Sequence, residues 1–243
     1  MFRRVFIILF LTAGITSVVY SQIRNVNIGG SYNGTFLLSG GVESDYQIAG
    51  SPYLSDTWMF GTLEMKEGIL EETPANDTFE IHGLFRYNLY AQEFEMVYNR
   101  DTFAISAPFN VRRIRISNMD FCYGLFVERS NRKTYLGSAY FQILSSGKRK
   151  LLMRHGTKIK SGSAPVTYGW AGGSDAFVPF RQLYYQEREG SEVILLKNRR
   201  KIIRQLFADR SEEIEKFIRS EKINIHVEAG LVRVFNYYNN LDS

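Results

Sequence analysis

The chain has 243 residues, a formal net charge of +5, 14% aromatic residues and one cysteine, Cys122. A single thiol rules out an intramolecular disulfide, and so mild a basic excess gives no argument for a nucleic-acid partner. With 15 Tyr and 18 Phe against 5 Pro, the composition favours strands over a helical bundle.

Residues 1–21 have the layout of a cleavable secretory signal. Arg3 and Arg4 give a positive start, residues 5–11 an unbroken apolar run, and Val19 and Ser21 take the −3 and −1 places before Gln22. So short a run falls well below the roughly 20 residues that span a bilayer. The expectation is export with cleavage after Ser21, an uncleaved anchor being the other reading. No cysteine lies near the site, which excludes the lipid-modified bacterial signal. A chain of this size without disulfides fits a bacterial periplasm, or another extracellular setting, better than a eukaryotic secretory route. Cleavage removes Arg3 and Arg4 and leaves a net charge of about +3. No later apolar run approaches membrane-spanning length.

Residues 22–50 are rich in Gly, Ser and Asn and read as a loose segment with one edge strand at 35–38. From Ser51 a turn leads into strands at 57–65, 79–87, 93–98, 102–105, 111–116 and 121–128. Ser145-Ser146-Gly147 joins strands at 138–144 and 150–154, and Arg188-Glu189-Gly190 joins strands at 183–187 and 192–195. Val111, Arg113 and Arg115 alternate with Arg112, Ile114 and Ile116, the pattern of a half-buried strand. Residues 156–180, with five Gly and two Pro, read as one long loop around Tyr168 and Trp170.

The last 47 residues change period to that of helices. Ile202, Ile203, Leu206 and Phe207 follow Asn198, and Ile214, Phe217 and Ile218 follow Asp209, a cap candidate with Glu212 closing the box. Val227, Leu231, Val234, Phe235 and Tyr238 make a third stripe. Helices this short need tertiary packing. The predicted fold is mainly β with C-terminal helices (α+β): an antiparallel meander over residues 51–196, curled into a half-barrel or folded as a sandwich, with a three-helix appendage over 197–243.

The run Gly50-Ser51-Pro52-Tyr53-Leu54-Ser55-Asp56, then Phe85-Arg86-Tyr87-Asn88-Leu89-Tyr90 with Glu93-Phe94-Glu95, resembles an uncharacterised family of exported proteins of Bacteroidota. Leu206-Phe207-Ala208-Asp209, Ile214-Glu215-Lys216-Phe217-Ile218 and Tyr237-Tyr238-Asn239-Asn240-Leu241 carry the resemblance into the tail. Ala229-Gly230 departs from it, standing where the final helix of that family carries acidic residues. The family has no assigned activity, so the resemblance implies an organism group and a compartment rather than a chemistry.

Chemistry-bearing constellations are sparse. His82, His155 and His226 lack ligand spacing, Cys122 sits in an apolar strand, and no nucleophile elbow, P-loop or dinucleotide fingerprint occurs. No metal or cofactor is therefore expected. Glu93 and Glu95 share a strand face, as paired acids of a hydrolase would, and equally as any solvated strand face would. Arg112, Arg113 and Arg115 share one strand, while Lys197, Arg199, Arg200, Lys201 and Arg204 crowd the first helix. Arg199, Arg200 and Arg204 are candidate contacts to an anionic lipid or glycan. Tyr87, Tyr90, Phe94, Tyr98, Tyr168 and Trp170, with Tyr140 and Phe141, either fill a core or line an apolar concavity. The functional expectation is a non-catalytic periplasmic binding or interaction protein holding an apolar molecule or lipid on a curved sheet. The alternatives are an envelope module docking a partner through its C-terminal helices and, third, a carboxylate-dependent hydrolase.

Overall fold

The computed structural model describes residues 48–66, 80–98, 101–105, 108–130, 133–162 and 175–241. The signal segment, the edge strand expected at 35–38, Tyr168 and Trp170 lie outside them. The described chain forms ten strands: β1 (Met59–Met65), β2 (Glu80–Asn88), β3 (Glu93–Tyr98), β4 (Asp101–Ala104), β5 (Val111–Ile116), β6 (Met119–Ser130), β7 (Lys133–Ser145), β8 (Lys150–Lys160), β9 (Ala176–Gln186) and β10 (Val193–Leu195). Three helices follow, α1 (Arg199–Leu206), α2 (Ser211–Ser220) and α3 (Glu228–Asn240). The fold is mainly β with C-terminal helices, as expected.

The chain divides into two compact units. In the larger, residues 58–85, 107–156 and 180–243, the strand order is β10-β9-β8-β7-β6-β5-β1-β2. Neighbours run antiparallel, except that β10 also pairs with β6 in parallel, through Val193↔Phe126 and Ile194↔Val127. That pairing closes β6, β7, β8, β9 and β10 into a ring. The curved sheet is therefore part closed barrel, beyond the half-barrel or sandwich left open by the sequence.

Alternation along the ring strands separates two cores. Phe126, Phe141, Leu152, Tyr184 and Val193 fill the interior, with three of the rings meeting edge to face at 5.1–6.1 Å between centroids. Leu151, Met153, Leu183 and Tyr185 point the other way, onto Ile203, Leu206, Phe207, Ile214, Leu231, Val234 and Phe235 of the helical region. The helices thus share one continuous core with the sheet, which supplies the packing that their short lengths require.

Two glycines are fixed by close approach. A Cβ at Gly61 of β1 would lie 2.2 Å from the Arg115 carbonyl oxygen, and one at Gly230 of α3 2.0 Å from that of Asn224. Backbone cannot yield as a flexible side chain can, so only glycine lets β1 meet β5 and α3 meet the turn before it.

Three sequence expectations change. Both ends of the loop expected over 156–180 are strand, because β8 continues to Lys160 and β9 begins at Ala176. Gly156 belongs to a strand: the Phe180 ring covers it, 2.4 Å from where a Cβ would stand. Asp209 does not cap α2, whose N-terminus has no side-chain cap; it accepts from the Tyr238 hydroxyl at 2.8 Å and faces Lys148 and Arg149. The simple alternation in β5 fails, since Val111, Ile114 and Ile116 are buried and the register shifts where Glu64 and Met65 meet Arg113 and Val111. Arg112 is the extra residue of a β-bulge. Asn198 does cap α1, accepting from the Lys201 N–H.

The smaller unit holds the described parts of residues 1–57, 86–106 and 157–179. The end of β2 continues into β3 and β4, and the Asn88 side chain accepts from the Tyr90 and Ala91 N–H groups to shape the turn. Arg86, buried, donates to Glu95 at 2.6 and 3.2 Å and to the Tyr53 hydroxyl at 3.0 Å, with its guanidinium over the Tyr53 ring. Removing one member of such a pair strands a buried charge, whereas replacing both by apolar groups does not. Glu95→Ala should therefore lower stability by about 3–5 kcal/mol in urea unfolding, and Arg86→Met with Glu95→Leu should recover at least half of that loss.

In the larger unit His155 is buried beside Phe121 and donates from Nε2 to the Gln142 side-chain oxygen at 2.7 Å. Burial, with the Arg181 charge adding to it, lowers its pKa from 6.5 to about 4. The folded state favours neutral imidazole, so this contribution is complete above pH 6.5 and is lost as pH falls towards 4. Urea midpoints of the wild type should drop between pH 7 and 4.5 more steeply than those of His155→Phe, which has no proton to take up there.

Candidate functional site

The closure of the ring leaves a split in the sheet. β5 and β6 pair through Ile116↔Met119, Arg115↔Asp120 and Ile114↔Phe121, and no further. At the Arg112 bulge β5 turns to stay with β1, while β10 joins β6 only from Phe126 onward. Between these points residues 122–125 (Cys122, Tyr123, Gly124 and Leu125) pair with β7 alone, opposite Phe141, Tyr140, Ala139 and Ser138. Their other backbone edge has no ladder partner among the described residues.

A groove of about 740 Å³ lies over that edge. Cys122, Gly124, Ile143 and Val193 form its floor, continuous with the ring's interior core. The turns at Ser146-Gly147 and Glu189-Gly190, both legible in the sequence, stand on its rim. Lys66, Arg112 and Arg113 line the β5 side, and Glu189 and Glu192 the β10 side. Two of its acids are already engaged: Asp120 accepts from Arg115 at 2.7 Å, and Glu189 from Lys150 at 3.0 Å. The Lys150 hydrogen bond and charge, with Arg112 adding to them, hold the Glu189 carboxyl below its ordinary pKa. Arg113 reaches Glu64 and Asp120 only at 3.7 and 3.9 Å. Arg112 and Lys66 make no hydrogen bond or ion pair from their side chains among the described residues, so the β5 side carries a positive excess.

The opposite end of the ring is closed by charge. Arg154 lies over the Phe126 ring at 4.6 Å and 3.6 Å from Glu128, which also accepts from the Tyr184 hydroxyl. Burial and the Glu128 bond push the Tyr184 pKa upward. This end is plugged; the groove end is open.

The described residues among those expected to line a site lie elsewhere. Tyr87 and Phe94 belong to the smaller unit, fully buried and stacked at 4.5 Å with rings 7° apart. Tyr90 is exposed, its ring edge-on to Phe177. Tyr98 is described only as a backbone partner of Asp101. Of the candidate anion contacts, Arg199 donates to the His226 carbonyl, Arg204 pairs with Glu215 at 3.4 Å, and Arg200 is exposed on α1. Glu95 is taken by Arg86 and Tyr53, while burial and the Glu95 charge raise the pKa of Glu93. Sequence reading missed the groove, although the apolar spacing Val111, Ile114, Ile116 breaks the period of two and marks the bulge that opens it.

Among the described residues no cluster of three His, Cys, Asp or Glu could hold a metal ion. No family model matches the chain, and neither the curated proteins nor the solved structures compared with it give a match.

Cys122 faces the groove as a thiol. Burial raises its pKa to about 11, against the smaller opposing effect of Lys150. The thiolate is the reactive form, so alkylation by iodoacetamide should rise nearly tenfold per pH unit from pH 7.5 to 9.5. At pH 8 it should lag the urea-unfolded chain by roughly a hundredfold.

Proposed function

We propose that this chain is an exported, non-catalytic binding protein of the bacterial envelope whose ligand seats in the groove over residues 122–125. The signal-like segment 1–21 supports export, and the groove supports binding. One observation carries the reading: the ring's apolar core comes to the surface beside a strand edge that is unpaired among the described residues, inside a charged rim. Barrel mouths are common ligand sites because a rigid wall meets solvent there. The ligand class shifts from the apolar molecule expected at the sequence level towards one with polar groups, since Tyr87 and Phe94 are spent on packing while the rim is charged. The thiol facing the groove is held protonated, which favours binding over nucleophilic chemistry.

Docking through the helices draws less support. Their apolar stripes are covered by β8 and β9 within the larger unit, and two of the three candidate arginines already have partners. Native mass spectrometry of the protein purified from its own envelope tests the proposal. A retained mass should accompany the wild type and be absent from Gly124→Trp, which fills the floor. A bare wild-type chain, or a variant that keeps the adduct, would overturn it.

A further inference from the structure

We infer that the groove takes an extended acidic peptide, which adds as a short strand to the open edge of β6. The inference rests on the reading of the groove as a ligand site and names the chemistry of its ligand. Successive residues of a strand direct their N–H and C=O groups to opposite edges, so alternate residues of 122–125 present theirs to the groove and the others to β7. Such an edge is satisfied by another backbone, with matched donors and acceptors at the strand repeat. A fatty chain or a sugar offers no such ladder. Four open positions at about 3.3 Å each give an edge of about 13 Å, room for a peptide of four or five residues.

Strand neighbours bound the slot at both ends. On one side β5 leaves at Ile114↔Phe121, and on the other β10 enters at Val193↔Phe126. A guest strand would fill the missing stretch of the sheet. Gly124 lies at its middle, and the nearest atom to a Cβ there is Val193 Cγ2 at 3.3 Å, so a larger residue would fill the floor.

Charge sets the side chains. Among the described residues Lys66 and Arg112 on the β5 side make no hydrogen bond or ion pair from their side chains, Arg112 acting on Glu189 only through its charge, while Asp120 and Glu189 are engaged by Arg115 and Lys150. Glu192 lies on the opposite rim. An acidic side chain directed towards β5 gains two cations, and a basic one meets them as like charges. The carboxylates should therefore recur on one face of the guest, at every second residue, with small apolar residues between them on the floor.

The test uses the whole purified chain and four fluorescein-labelled, end-blocked pentapeptides: alternating valine and aspartate, its two twins N-methylated at alternate amides in either phase so as to block one edge or the other, and alternating valine and lysine. Dodecanoate serves as the lipid probe, and protection of Cys122 from iodoacetamide at pH 9 reports occupancy of the groove. The valine–aspartate peptide should bind and protect Cys122, with one of the two possible N-methylated phases and the valine–lysine peptide each at least tenfold weaker. Arg112→Glu, a change at an exposed bulge, should weaken the aspartate peptide at least tenfold and leave the circular dichroism spectrum unchanged. Equal binding of both N-methylated phases, or of the lysine peptide, would overturn the inference. Protection by dodecanoate but by no peptide would also overturn it while leaving a groove ligand in place. Peptide binding that survives Gly124→Trp would remove both the inference and the reading beneath it.

Discussion

Two residue pairs between β10 and β6 determine the rest of the larger unit. Val193 and Ile194 lie far along the chain from Phe126 and Val127, yet their parallel pairing turns an open curved sheet into a ring. Closure removes edges, and it also fixes what the interior can contain. A ring of about eight strands is just wide enough for its own side chains to fill. With five, the space is taken by Phe126, Phe141, Tyr184 and their neighbours, and one end is plugged by Arg154 and Glu128. No ligand can enter such an interior. Any site that the ring offers lies at its mouth or along its seam.

The seam is imperfect, for a local reason. β5 cannot accompany β6 beyond Phe121, because the bulge at Arg112 keeps it in register with β1. β10 is only three residues long and reaches β6 only at Phe126. The open stretch is therefore the difference between two pairings that are each satisfied elsewhere. Gly61 belongs to the same arrangement: by admitting the Arg115 carbonyl so closely, it lets β1 hold β5 on the far side of the split.

Local features were legible in the sequence and long-range ones were not. The hairpins at Ser146-Gly147 and Glu189-Gly190, the helical period after Asn198 and most strands follow from turn chemistry and spacing, which involve near neighbours. Closure by β10 does not, because nothing in Val-Ile-Leu specifies a partner on β6. Glycine misled where a distant ring covers it: Gly156 reads as loop until Phe180 is seen lying on it. The aromatic run at Tyr87 and Phe94 is dense in the sequence, but density alone does not separate a wall from a core. Only the 4.5 Å stack and full burial decide that. Asp209 has the spacing of a helix cap and instead takes a hydrogen bond from Tyr238, a competition between local and tertiary partners that sequence cannot settle.

An unpaired strand edge invites other chains to add to it, and proteins ordinarily cover, shorten or charge such edges. Here the length open among the described residues is four residues, the edge is recessed in a groove, and the rim carries Lys66 and Arg112 on one side and Glu189 and Glu192 on the other. A second sheet brings neighbouring strands with it and cannot enter a slot bounded by β5 and β10. A single extended segment has no such neighbours. The same features that protect the edge from aggregation therefore select for one strand, of limited length and of the right charge. On this argument the short open edge and its charged rim are one device: the rim excludes what the edge would otherwise accept, and that exclusion gives the proposed site its specificity.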